Sequence, residues 1–93
     1  MYERVLHRMH QSVRALTYLM TTHSQEEMED DGLTILDVEH VVLTGRIVER
    51  QRDRRTAQFK YVVSGRTEAG ENVGIVGRLS LLGKLIILTV YRA

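Results

Sequence analysis

The 93-residue sequence contains no cysteine. Disulfides and cysteine-ligated zinc sites are therefore excluded, and so small a domain must rely on one compact core. It has no apolar run of the length needed to cross a bilayer; the longest, within residues 84–92, is far too short. No apolar leader of the secretory type stands at the start, so the default location is cytoplasmic, with no membrane partner. No Gly-rich phosphate loop, Ser-His-Asp order or Cys-His order is legible, nor any internal repeat or linker. Charge of one sign is missing too: 13 Lys and Arg stand against 12 Asp and Glu, for a net charge of +1. The sum alone says little about partners. Hydrophobic content of 43% and charged content of 27% are those of an ordinary globular domain, not a disordered chain.

What is present is unevenly spread. Residues 26–31 read Glu-Glu-Met-Glu-Asp-Asp, whereas Arg46, Arg50, Arg52, Arg54 and Arg55 fall within ten residues. Carboxylates at successive helical positions point around the helix rather than at one point. The acidic run is thus expected to hold no metal and to be a solvated face, with partner docking as the alternative. The arginine run has two readings. It guides nucleic-acid phosphates, or it is a solvated strand and turn paired with Glu49, Asp53 or the acidic helix.

Val5, Leu6, Met9, Val13 and Leu16 recur at spacings of three and four, which predicts an amphipathic helix over 2–16. A short extended connector follows over 17–22. Hydroxyl residues three before Gln25 and Glu27 start a second helix at about Ser24, and Gly32 ends it. Thr34 opens a third helix, with Asp37 three residues on, and Gly45 closes it. From Arg46 the period becomes two. Strands are expected over 46–50, 58–66, 72–79 and 84–92, separated by polar or Gly-containing turns at 53–56, 68–71 and 82–83. The short connections favour an antiparallel meander. The fold class is α+β, with N-terminal helices on one face of a roughly four-stranded antiparallel sheet. The last strand, unbroken by polar alternation, is expected to be buried on both faces.

Strict alternation places Phe59, Tyr61, Val63, Val73, Ile75 and Leu79 toward the helices. Lys60, Arg66 and Arg78 fall on the opposite face, around a floor of Val62, Val76, Ile86 and Leu88, with Lys84 and Arg92 joining if the last strand keeps register. Clustered cations bind polyanions, and the arginine fork suits phosphate. A solvated face that discourages edge aggregation is the competing reading. His23, beside two hydroxyl residues, is either a proton carrier or a structural hydrogen-bonding group. The run Gly74-Ile75-Val76-Gly77 marks a bulge or a close-packing site.

The segment Thr22-His23-Ser24-Gln25-Glu26-Glu27-Met28-Glu29-Asp30-Asp31-Gly32-Leu33-Thr34-Ile35-Leu36-Asp37-Val38-Glu39, then Leu43 to Arg50 and the closing Thr89-Val90-Tyr91-Arg92, resembles a bacterial family of small proteins of unassigned function. The pattern is a His with a Met five residues on, a Gly-hydrophobic step and an Asp-Val-Glu helix, and it covers most of the chain from residue 13. The resemblance implies a zinc-finger antitoxin of the MqsA type as partner. The order of helices then sheet is similar to that of MqsR and, more distantly, RelE toxins, which cleave messenger RNA.

A type II toxin of that kind is an endoribonuclease that needs no metal or other cofactor, because the ribose 2′-hydroxyl is the nucleophile. The protein positions it, neutralises phosphate and assists proton transfer. The implied catalytic set is Lys60, Tyr61, Arg78, Tyr91 and Arg92, with Tyr91 or His23 moving protons, since arginine cannot readily act as a base. The implied RNA-binding set is Arg46, Arg50, Arg52, Arg54, Arg55, Arg66 and Lys84. The alternative is a non-catalytic RNA- or protein-binding module of the same fold, and homodimerisation is left open. The ribonuclease reading requires Lys60, Arg78 and Arg92 to meet on one patch outside the helical layer.

Overall fold

Apolar residues at helical spacing make α1 (Glu3–Arg14), which buries Met9 and Val13 and packs Val5 and Leu6 beside them. Leu16, expected in the same stripe, lies beyond the helix with positive φ and is exposed. In the computed structural model, which describes residues 1–93, there follow β1 (Leu19–Met20), α2 (Thr22–Asp30), α3 (Ile35–Thr44), β2 (Arg46–Arg52), β3 (Phe59–Arg66), β4 (Asn72–Leu79) and β5 (Leu85–Arg92). The α+β class holds, and so does the helices-then-strands order except for β1, which falls between α1 and α2.

The sheet is larger than expected. Its order is β1-β5-β4-β3-β2. The last four strands form the antiparallel meander, but β1 pairs in parallel with β5, Leu19 opposite Ile86 and Met20 opposite Ile87. The sheet is therefore five-stranded and mixed, not four-stranded and antiparallel. Two residues of the extended connector supply this strand, because the outer edge of β5 would otherwise lack backbone partners.

Where β1 stops, α2 takes over the same edge. Thr21 donates its backbone N–H to the Ile87 carbonyl at 3.1 Å, and the buried Ser24 hydroxyl shares its one proton between that oxygen, at 3.0 Å, and the Thr21 carbonyl, at 2.9 Å. Further along, Glu27 Oε1 accepts the Val90 N–H at 3.1 Å. The cap of α2 is Thr21, whose hydroxyl accepts the Ser24 N–H, rather than Thr22 or Ser24 as expected; Ser24 is needed on the strand. At the other end Gly32, at φ +68°, donates to the Glu29 carbonyl while Leu33 donates to Met28. This is a Schellman closure, whose left-handed residue favours glycine. In α3 the Thr34–Asp37 capping box forms as expected.

Twelve buried residues fill the space between the helices and one sheet face, among them Met9, Val38, Val41, Val42, Val63, Ile75, Ile87 and Val90. The other face of the sheet carries no helix. Ile86 and Leu88 of β5 are only half-buried there, so β5 is not covered on both sides as expected.

Two bulges interrupt the ladders. In β2, Ile47 faces Val63 and Glu49 faces Val62, leaving Val48 unpaired. In β5, Ile87 faces Gly77 and Thr89 faces Val76, leaving Leu88 unpaired. Each extra residue reverses the in–out alternation beyond it.

Candidate nucleic-acid interface

The open face is built in cross-strand rows. Arg46 lies opposite Ser64, Ser64 opposite Gly74, and Gly74 opposite Tyr91. The next row runs Glu49, Val62, Val76, Thr89. Beyond it Gln51 faces Lys60, while Arg78 faces Ile86. Arg66 faces Asn72 at the other end. Val62 is buried here yet lies outside the main core cluster, screened by its cross-strand neighbours. The expected floor of Val62, Val76, Ile86 and Leu88 is thus present, with Lys60, Arg78, Arg66 and Arg46 around it. Lys84 is exposed in the turn leading into β5.

These cations are uncommitted. The ion pairs within 4.0 Å are those of the N-terminal amine with Glu3, His23 with Glu27, His40 with Glu68 and Arg92 with Glu71. None involves Lys60, Arg66, Arg78, Arg46 or Lys84. The face is also flat: among the molecule's three grooves, only one includes any of its residues, Arg46 at the rim.

Tyr91 occupies the face because the Leu88 bulge turns it there. Its ring lies across Gly74, so that a Cβ at residue 74 would come within 2.2 Å of the ring carbon bearing the hydroxyl. Glycine there is a condition for the tyrosine's placement, and the close-packing expectation for the 74–77 run is met. The alternative, a bulge within that run, is not: the inserted residue is Leu88, on β5.

The same bulge removes Arg92. It pairs with Val73, a core residue, and so lies on the helix side. Its guanidinium donates through Nε to the Asp31 carbonyl at 3.0 Å, donates a second hydrogen bond through Nη2 to that oxygen, and pairs with Glu71. Lys60, Arg78 and Arg92 therefore do not share one patch, and the expected catalytic role of Arg92 is corrected to a structural one. The Val48 bulge acts in the same way on β2. Arg50 faces Tyr61 and Arg52 faces Phe59, on the helix side. Tyr61, expected in the catalytic set, packs against the core and meets the Tyr2 ring edge-on at 5.7 Å. Arg54 and Arg55 are exposed in the β2–β3 turn.

His23 is exposed on α2, 3.3 Å from Glu27. With Ser24 and Glu27 on the β5 edge and Met28 on the core, a 100° step per residue puts His23 on the flank nearer the open face. Glu27 was expected to be solvated; it is instead a strand-edge acceptor. Ser64 and Thr89 join the face without having been singled out. The signal that could have found them was the pairing of an aromatic with a strand glycine, which fixes neighbouring rows. No group of three or more His, Asp and Glu side chains is placed to hold a metal ion.

A family model described as a domain of unknown function, DUF4258, matches residues 20–92. The chain belongs to the DUF4258 family. The DUF4258 match starts in β1 and ends at Arg92, so all strands of the open face lie within it and α1 lies before it. No curated protein and no solved structure matches the chain. No helix is long and apolar enough to cross a membrane.

Proposed function

We propose that this chain binds single-stranded RNA across the open face of its sheet. The observation that carries this is the set of cations, Lys60, Arg78, Arg66 and Arg46, standing without carboxylate partners around an apolar floor. Unpaired surface cations attract phosphate through counterion release, and a flat apolar floor accepts bases. A flat face suits an extended strand better than a small molecule, which needs a concave site. The test is fluorescence anisotropy with a labelled RNA oligonucleotide over a salt series. Affinity should fall steeply with salt, and Lys60→Glu/Arg78→Glu should weaken it by about tenfold or more. Equal affinity of the variant and the parent would remove the face from consideration.

The ribonuclease scheme that required Lys60, Arg78 and Arg92 on one patch fails, because Arg92 lies on the helix side; a second reading adds cleavage without it, favoured by the phenol that the Leu88 bulge sets on this face. Here the chain is a type II toxin with a RelE- or MqsR-like fold, restrained by a zinc-finger antitoxin of the MqsA type. The ribose 2′-hydroxyl loses its proton and its oxygen bonds to the adjacent phosphorus. The 5′-oxygen leaves and takes up a proton, giving a 2′,3′-cyclic phosphate and a 5′-hydroxyl. Lys60 and Arg78, two cross-strand rows away, hold flanking phosphates of the strand, and Tyr91 carries a proton. Arg92 has no part in this scheme. Incubation with end-labelled RNA should yield cyclic-phosphate products with the parent chain and at least tenfold fewer with Tyr91→Phe, one decade being about 1.4 kcal/mol of barrier. RNA that binds but stays intact would leave the binding module alone standing.

A further inference from the structure

On the helix side, a groove of about 350 Å³ runs between α1 and the ends of β3 and β4, lined by Val5, Arg8, Phe59, Tyr61, Leu79 and Leu81 among others. Beside its aromatic wall stand two cations that do not themselves line the groove. The Arg50 guanidinium lies over the Phe59 ring at 4.2 Å and Arg52 at 5.3 Å, and Arg50 also approaches Tyr2 at 5.9 Å. Neither Arg8, Arg50 nor Arg52 has a carboxylate within 4.0 Å. Leu81 at the rim is fully exposed, and Phe59 is 38% exposed.

The combination is specific in chemistry. Apolar and aromatic walls take a flat ring, and guanidinium planes stack on bases as well as binding phosphate. Three unpaired guanidinium groups beside that wall call for an anion on the same ligand. A nucleotide supplies both, and the volume is at the lower end of small-molecule sites. The groove is also within reach of the open face. β2 is an edge strand, so Gln51 on one side and Arg50 and Arg52 on the other are separated only by the thickness of the sheet.

We propose that this groove holds one nucleotide of the bound RNA, the base on the Phe59–Leu81 wall and the phosphate among Arg8, Arg50 and Arg52. The strand thereby turns around the β2 edge. This rests on the RNA-binding reading and extends it to the helix side.

The experiment is an amide NMR titration of the whole chain at low salt with adenosine monophosphate, and separately with inorganic phosphate. The nucleotide should shift resonances of residues 57–61 and 79–81 and bind about tenfold tighter than phosphate alone. Phe59→Ala should weaken it by a similar factor. Leu81→Glu, at a fully exposed position that leaves the core untouched, should do so through charge and lost contact. Shifts confined to the open face, equal affinity for phosphate, or indifference to Leu81→Glu would each overturn the groove. RNA binding indifferent to Lys60→Glu/Arg78→Glu, with the nucleotide still shifting 57–61, would instead overturn the open face.

Discussion

Arg92 joins three parts of the molecule through one guanidinium: the C-terminal carbonyl end of α2, the β3–β4 turn through Glu71, and β5 itself. A cation suits the negative end of a helix. Both partners of the ion pair are partly exposed, so the contribution is modest. Arg92→Ala should lower stability by about 1 kcal/mol in urea denaturation and leave RNA affinity unchanged, because the side chain is absent from the open face. A loss of RNA affinity with unchanged stability would return Arg92 to the binding surface. Tyr18 offers a second residue-scale test. Burial, then its hydrogen bond to Glu39, raises the phenol's pKa well above the ordinary value. A raised folded pKa means that the stabilisation is complete below the unfolded value, near 10, and is lost as pH climbs beyond it. Parent stability should therefore decline above about pH 10 more steeply than that of Tyr18→Phe. Parallel pH profiles for the two would refute the assignment.

At the scale of elements, the limits of the sequence are the two bulges. Alternation correctly sorted Lys60, Val62, Arg66, Val73 and Ile75, because β3 and β4 pair with each other without a slip. It failed for Arg92, and gave no side for Arg50 and Arg52, because Leu88 and Val48 each insert one unpaired residue, and a side-chain period of two cannot register an insertion. The parallel strand β1 was equally illegible: Leu19 and Met20 pair with residues far along the chain, and a two-residue strand has no period to detect. The α3 start was legible because a capping box is local, and the α2 start was misplaced because Ser24 answers a distant carbonyl. The α2–β5 seam is testable. Ser24→Ala leaves the buried Ile87 carbonyl without its side-chain donor and should cost about 1–2 kcal/mol, read as a lower urea midpoint with an unchanged slope. A change within 0.5 kcal/mol would show that the Thr21 N–H suffices for that oxygen.

Across the whole molecule, cations stand on both sides of the β2 edge while the carboxylates of α2 lie along the β5 edge, at the opposite side of the sheet. β5 sits between β1 and β4 and is also bracketed by α2, so it is the hub of the sheet and the last of these elements to be synthesised. Its partners in β1 and α2 are more than sixty residues upstream. Until residues 85–92 leave the ribosome, Ile75 and Val63 have no completed core to enter, and β4 offers a bare strand edge. Nascent chains of this protein must therefore wait, and loop closure over that span sets a slow pace for assembly relative to its small size.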